Sequence, residues 1–174
     1  MKNLDLNNIK DENCKVIKIS FKTKNQSISN NTFLKENYKN ILEEISKYFK
    51  ENYLNFKILH NLINNKGVSL KLIDHYCKKY KSTWFKKIHK RYGFKLDFKP
   101  ILSPLVIGDI IIFVLNNTSV NLTFTNLIFY KHLFEDDIYN ELILKKKSLM
   151  KELNIIEKKN GYILISKNKK GYKV

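Results

Sequence analysis

The sequence predicts an α+β fold: a helical N-terminal half packed on a small antiparallel sheet, ending in a helix and a β-hairpin. Three observations carry the prediction. Between Thr32 and Tyr92, apolar residues recur three and four positions apart, the spacing of helices that bury one face. Cys14–Lys22 alternates in character and Val106–Leu115 is apolar over the length of a strand, both followed by Asn-rich turns. Asn160-Gly161 separates two short runs near the end, and this dipeptide suits a type I′ hairpin turn, which needs positive φ at both central positions.

The chain has 174 residues, the length of a single domain spanning 1–174, and 43% of them are hydrophobic, enough for a core. Residues 1–13 are polar, lack the apolar stretch of a secretory signal, and are expected to be flexible. In Cys14–Lys22, Ile17, Ile19 and Phe21 share one face of a strand and Lys18, Ser20 and Lys22 the other. Thr32 is placed to cap a helix running to Glu51, with Leu34, Tyr38, Ile41, Leu42, Ile45, Tyr48 and Phe49 as its apolar stripe. A second helix follows over Leu54–Asn64 with Phe56, Leu59, Leu62 and Ile63 inward, and Gly67 suits the left-handed position after it.

Ser69 is an N-cap for a third helix, with Leu70, Ile73, Cys77 and Tyr80 on one face and Leu72 and Tyr76 flanking it. Ser82 or Thr83 caps a fourth helix over Trp84–Tyr92. Ile101–Leu115 is too short to span a bilayer, carries Pro104 and Asp109, and reads as one or two buried strands. Val120–Phe124 is its partner strand, and Thr125–Phe134 is ambiguous between helix and strand. Phe134–Asn154 reads as a helix with Glu135, Asp136 and Asp137 near its start, where the macrodipole favours anions. Strands Ile155–Lys158 and Tyr162–Lys167 then pair across Asn160-Gly161. A helix followed by a Lys-rich hairpin is the layout of the recognition helix and wing of a winged helix, so 126–174 can be read as a winged-helix-like subregion.

The formal net charge is +17, from 33 basic and 16 acidic residues. Such an excess attracts polyanions over about one Debye length, roughly 8 Å in physiological salt. Lys, Asn and Ile are also what an AT-rich genome encodes by default, so the clustering of charge is more informative than its total. Residues 66–99 hold eleven basic side chains against Asp74 and Asp97, a net +9 in about a fifth of the chain. Lys71, Lys78, Lys79, Lys81, Lys86, Lys87, Lys90 and Arg91 are the candidate phosphate contacts, with Lys158, Lys159 and Lys167 as a second, wing-like contact. Of the interleaved rings, Phe85 and Ile88 beside them read as core, while Trp84 is evenly balanced between core and base stacking. Nucleic acid, DNA or RNA, is the expected partner.

Other chemistries find no motif. His75 and Cys77 lie two apart with His60 and His89 distant, and no C-x-x-C or H-x-x-x-H is present, so no metal site is specified. Glu135, Asp136 and Asp137 are consecutive on a helix and cannot all converge on one ion. No phosphate-binding glycine loop or nucleophile motif occurs, so no catalytic residue and no cofactor is expected. Cys14 and Cys77 do not make a disulfide framework, which fits a reducing intracellular compartment.

Ser69-Leu70-Lys71-Leu72-Ile73-Asp74, followed by Tyr80-Lys81, resembles a set of small conserved proteins of nucleocytoplasmic large DNA viruses. Phe94–Pro100, Asn126–Ile143 and Lys145–Leu153 are similar in order and character, although Asp97-Phe98-Lys99-Pro100 departs from an Asp-Pro pairing. The resemblance implies a viral protein near the viral genome, in a cytoplasmic factory or a virion, but carries over no functional residue. The expected function is therefore a non-enzymatic basic protein binding nucleic acid in viral transcription, replication or packaging. The alternative is a structural component of a virion or ribonucleoprotein whose lysines meet acidic subunits.

Overall fold

A computed structural model describes residues 14–19, 32–92, 110–158 and 161–164, with side chains over 36–92 and 111–154. The fold is α+β. Strands β1 (Cys14–Ile19), β2 (Ile110–Leu115) and β3 (Thr118–Thr123) form an antiparallel sheet in that order. Helices α1 (Thr32–Glu51), α2 (Tyr53–Ile63), α3 (Leu70–Tyr80) and α4 (Ser82–Tyr92) lie between β1 and β2 in sequence. Helices α5 (Phe124–Glu135) and α6 (Ile138–Leu153) follow β3, and β4 (Ile155–Lys158) and β5 (Gly161–Leu164) form a separate antiparallel pair.

The β2–β3 turn is the one the Asn pair signals. Asn116 and Asn117 have φ of 48° and 61°, the double left-handed conformation of a two-residue hairpin. Their short amide side chains tolerate it where β-branched residues do not. The same strand delivers Phe113 into the core, where its ring meets Phe49 of α1 at 6.2 Å and Phe56 of α2 at 5.6 Å. All three rings are fully buried, and each is worth about 1.5–3 kcal/mol on that account. This contact joins the N-terminal helices to the sheet.

Several boundaries differ from expectation. The left-handed residue after α2 is Asn65 (φ 56°), not Gly67. Asn65 N–H bonds the Leu62 carbonyl at 3.1 Å and Lys66 N–H the Asn61 carbonyl at 2.7 Å, which closes a Schellman motif two residues before the glycine. Gly67 instead approaches the helix so closely that an added Cβ would lie 3.1 Å from Leu62 Cδ2. In α3 the buried face is Leu72, Ile73, Tyr76 and Cys77, whereas Tyr80 is exposed. The two residues expected to flank the stripe are its centre. Ser69 does cap the helix, its side chain accepting from Lys71 N–H at 3.3 Å.

The larger difference is at residues 124–137. Phe124 opens a helix instead of closing a strand, because Thr123 caps it by accepting from Asn126 N–H at 3.2 Å. In α5 every residue of 126–134 is buried, including Lys131 and His132. A helix enclosed on all sides shows no amphipathic period, which is why this stretch reads ambiguously. The chain then breaks at Asp137, which is left-handed (φ 59°), and α6 begins at Ile138. Glu135 and Asp136 thus stand at the C-terminal end of α5, where the macrodipole disfavours anions, and not at a helix start.

In the last pair Lys158 is opposite Gly161, one residue out of step with a turn centred on Asn160-Gly161, and β5 begins at the glycine. Two strands are described in this sheet. Residues 1–13, Phe94–Pro100, Lys159 and Lys167 lie outside the described residues. Among the described residues, no helix is long and apolar enough to cross a membrane.

Candidate nucleic-acid interface and the ion-pair network behind it

The basic residues of α3 and α4 fall into two sets. The first set is tied to acids of the fold. Lys78 Nζ lies 2.7 Å from Asp74 Oδ1 one turn earlier. Lys79 Nζ lies 2.8 Å from Glu152 Oε2 of α6, and Lys81 pairs with Glu141 of the same helix. Arg91 reaches Glu44 of α1 at 3.7 Å and lies over the Tyr92 ring at 5.3 Å.

The α3–α6 seam is built around those two glutamates. Glu152 also accepts from His75 Nε2 at 3.0 Å and from the Tyr80 hydroxyl at 2.6 Å. These three donors, His75 first, then Lys79 and Tyr80, bring its carboxyl down to about 2. Glu141 accepts from the Tyr76 hydroxyl at 3.0 Å and is held below the ordinary carboxylate value, chiefly by Lys81. Burial and the bond to Glu141 push the Tyr76 phenol up to about 12. Lys145 of α6 completes the seam, 5.7 Å from the Tyr76 ring and 5.9 Å from Tyr80.

The second set faces solvent. Lys71, Lys86, Lys87 and Lys90 are exposed, and among the described residues none has an ion-pair partner. On α4, Ile88 and Tyr92 are buried and Trp84, Phe85 and His89 half-buried. At 100° per residue, Lys86, Lys87 and Lys90 fall in an arc directly opposite that packed side. They form one outward cationic face. Lys158 occupies a position on β4.

The rings are engaged within the fold. The Trp84 indole N–H donates to Asp136 Oδ2 at 2.7 Å, and the ring packs edge-on against Phe129 of α5 at 5.9 Å. Phe85 meets the same Phe129 at 6.5 Å. Tyr80 is spent on Glu152 and Tyr92 on His132. Cys77 is a core thiol, pushed up to about 12 by burial and the Asp74 charge, and so unreactive at neutral pH.

Behind α4 lies a network that spacing alone does not announce. Lys131, only 3% exposed, places Nζ 2.6 Å from Glu44 Oε1 and 2.7 Å from Glu135 Oε2. His132 Nδ1 lies 3.2 Å from Glu135 Oε2 and 3.7 Å from Asp136 Oδ2, and Nε2 lies 2.6 Å from the Tyr92 hydroxyl. Burial, with Lys131 beside it, holds the ring below the usual histidine value and therefore neutral at pH 7. A neutral ring has one N–H, and Nδ1 faces only carboxylates, which cannot donate. The proton is thus assigned to Nδ1, and the Tyr92 hydroxyl donates to Nε2. Burial alone would raise the Glu44 carboxyl, but Lys131, Arg91 and His132 bring it below the ordinary range.

His132, Glu135 and Asp136 offer one ligand atom each within 4.8 Å of one another. The Lys131 ammonium already occupies the cation's place beside Glu135, and Nδ1 keeps its proton, so the cluster is complete as a hydrogen-bonded ion network. Placing a helix boundary at Phe134 hides this grouping. With the helix ending at Glu135, His132 and the two acids stand at i, i+3 and i+4 on one face.

Set against known proteins, the chain matches no family model, no curated protein and no solved structure.

Proposed function

We propose that the chain is a nucleic-acid-binding protein that contacts phosphates through the outward face of α4. The observation that carries this reading is the division of the lysines. The fold supplies acids for Lys78, Lys79, Lys81 and Arg91, yet leaves Lys86, Lys87 and Lys90 together on one face. Three like charges on one helix repel each other unless a polyanion is present. The helix beneath them is fixed by Trp84–Asp136, Tyr92–His132 and Arg91–Glu44, so little ordering is required on binding. The resemblance at Ser69–Asp74 favours a role in viral genome transcription, replication or packaging. The hairpin after α6 favours a winged-helix-like arrangement in which Lys158 is a second contact.

The test is a salt titration of binding. Each lysine that meets a phosphate contributes about −0.9 to the slope of log K against log salt, so Lys86→Gln/Lys87→Gln/Lys90→Gln makes the slope shallower by about 2.7. Wild-type affinity changing by less than about threefold between 50 and 200 mM salt sinks the reading. Loss of an acidic protein partner, with nucleic-acid binding intact in the triple variant, gives the lysines to a structural role instead.

A further inference from the structure

The outer face of α6 sets one large apolar side chain among polar and basic ones. Its acids, Glu141 and Glu152, are both turned to α3 and its C-cap, where Lys81, Lys79, His75, Tyr76 and Tyr80 hold them. Ile138, Leu142 and Leu149 face the core. Opposite that core face runs a stripe at i, i+4, i+7 and i+11: Asn140, Leu144, Lys147 and Lys151, all exposed. It runs three turns, about 16 Å. No acid lies on it, and among the described residues Lys147 and Lys151 have no ion-pair partner. Leu144 is 87% exposed, the most exposed large apolar side chain described. Asn140 uses one amide hydrogen on Asp137 Oδ1 at 2.6 Å, and among the described residues its second hydrogen and its carbonyl oxygen have no partner. Asn154 alone separates α6 from the antiparallel pair β4–β5.

We propose that α6 enters the major groove of duplex DNA with Asn140, Leu144, Lys147 and Lys151. The proposal rests on the nucleic-acid reading above and gives it a helix, a groove and a duplex form. The major groove of B-form DNA is wide enough for an α-helix, whereas that of A-form RNA is too deep and narrow for side chains to read. Lys147 and Lys151 match the phosphates. An asparagine amide pairs with adenine N6 and N7, and an apolar side chain packs on the thymine methyl, so the stripe suits A·T pairs. The interplay with α3 supplies the charge logic: Lys79 and the C-cap Lys81 neutralise Glu152 and Glu141, and among the described residues Lys147 and Lys151 keep no ion-pair partner.

Binding is measured by fluorescence anisotropy on a labelled A·T-rich duplex, a G·C-rich duplex and an RNA duplex of matched sequence, with anionic phospholipid vesicles as competitor. Wild type is expected to bind the A·T-rich DNA at least tenfold more tightly than the RNA duplex. Asn140→Ala/Leu144→Ala is expected to lose about tenfold on that DNA with an unchanged salt slope, because no charge is removed. Lys147→Gln/Lys151→Gln makes the slope shallower by about 1.8. All four side chains are exposed, and an unchanged thermal midpoint confirms the fold of each variant. If both α6 variants bind DNA as wild type while the α4 triple variant is weakened, the α6 proposal falls and the nucleic-acid reading stands. Equal affinity for the RNA duplex, or displacement by vesicles that depends on Leu144, also overturns it. Absence of salt-dependent binding to any nucleic acid overturns both.

Discussion

Trp84 Nε1 donates to Asp136 Oδ2 across 2.7 Å, and so joins α4 to the C-terminal end of α5. The bond answers two needs at once. It gives a half-buried indole its partner, and it supplies one positive edge to an acid that the helix dipole disfavours.

Trp84 is the only tryptophan in the chain, so its fluorescence reports this site alone. With the indole bound to Asp136 and packed on Phe129, addition of a single-stranded oligonucleotide should leave its emission unchanged even as a labelled ligand binds. Strong quenching by stacked bases is the contrary result.

Lys79→Gln/Lys81→Gln and the α4 triple variant should separate stability from binding. The first removes donors from Glu152 and Glu141, loosening the α3–α6 seam and lowering the thermal midpoint with a small effect on the salt slope. The second changes the slope and leaves the midpoint in place, because its lysines are exposed and, among the described residues, have no ion-pair partner.

Acid should undo the seam over a defined range. The Glu152 carboxyl falls from 4.5 to about 2 on folding, so its contribution is fully present above pH 4.5 and is lost as pH falls toward 2. The thermal midpoints of wild type and Glu152→Gln should differ at pH 6 and converge near pH 2. A constant gap across that range excludes the ionised form as the stabilising one.

His132 acts at milder pH with a different logic. Its folded value lies below 6.5, so the unfolded chain takes up the proton first and stability falls as pH drops through 6.5. His132→Gln should flatten the dependence of unfolding free energy on pH between 7 and 5, measured by denaturant titration.

Lys131 should show an asymmetry. Glu44→Gln/Glu135→Gln leaves a cation that is 3% exposed without a carboxylate, which costs about 3–5 kcal/mol. Lys131→Met leaves Glu44 with Arg91 and Glu135 with His132, and both carboxylates, 44% and 39% exposed, can hydrate, so its cost should be about 1 kcal/mol. Denaturant unfolding of the two variants distinguishes these values.

Much of the fold was legible where one face meets water. Ile41, Leu42, Ile45 and Phe49 in α1, or Phe56, Leu59 and Leu62 in α2, are buried as their spacing demands. Ser69 and the Asn116-Asn117 turn were readable because caps and turns act through single residues. Enclosure erased the signal at α5, whose polar members Lys131 and His132 find partners 87 and 40 residues away. The candidate interface was legible as charge but not as geometry. Spacing of four places Lys78 beside Asp74, yet nothing local pairs Lys79 with Glu152, so bound and unbound lysines look alike in the sequence.

The enclosure of α5 also constrains the order of assembly. Its walls come from both sides in sequence: Glu44 of α1 meets Lys131 across 87 residues, and Tyr139 of α6 packs against Phe134 at 5.2 Å. The N-terminal helices therefore lack their central packing partner until most of the chain has left the ribosome. Such non-local closure slows folding and prolongs exposure of the apolar faces of α1 and α2.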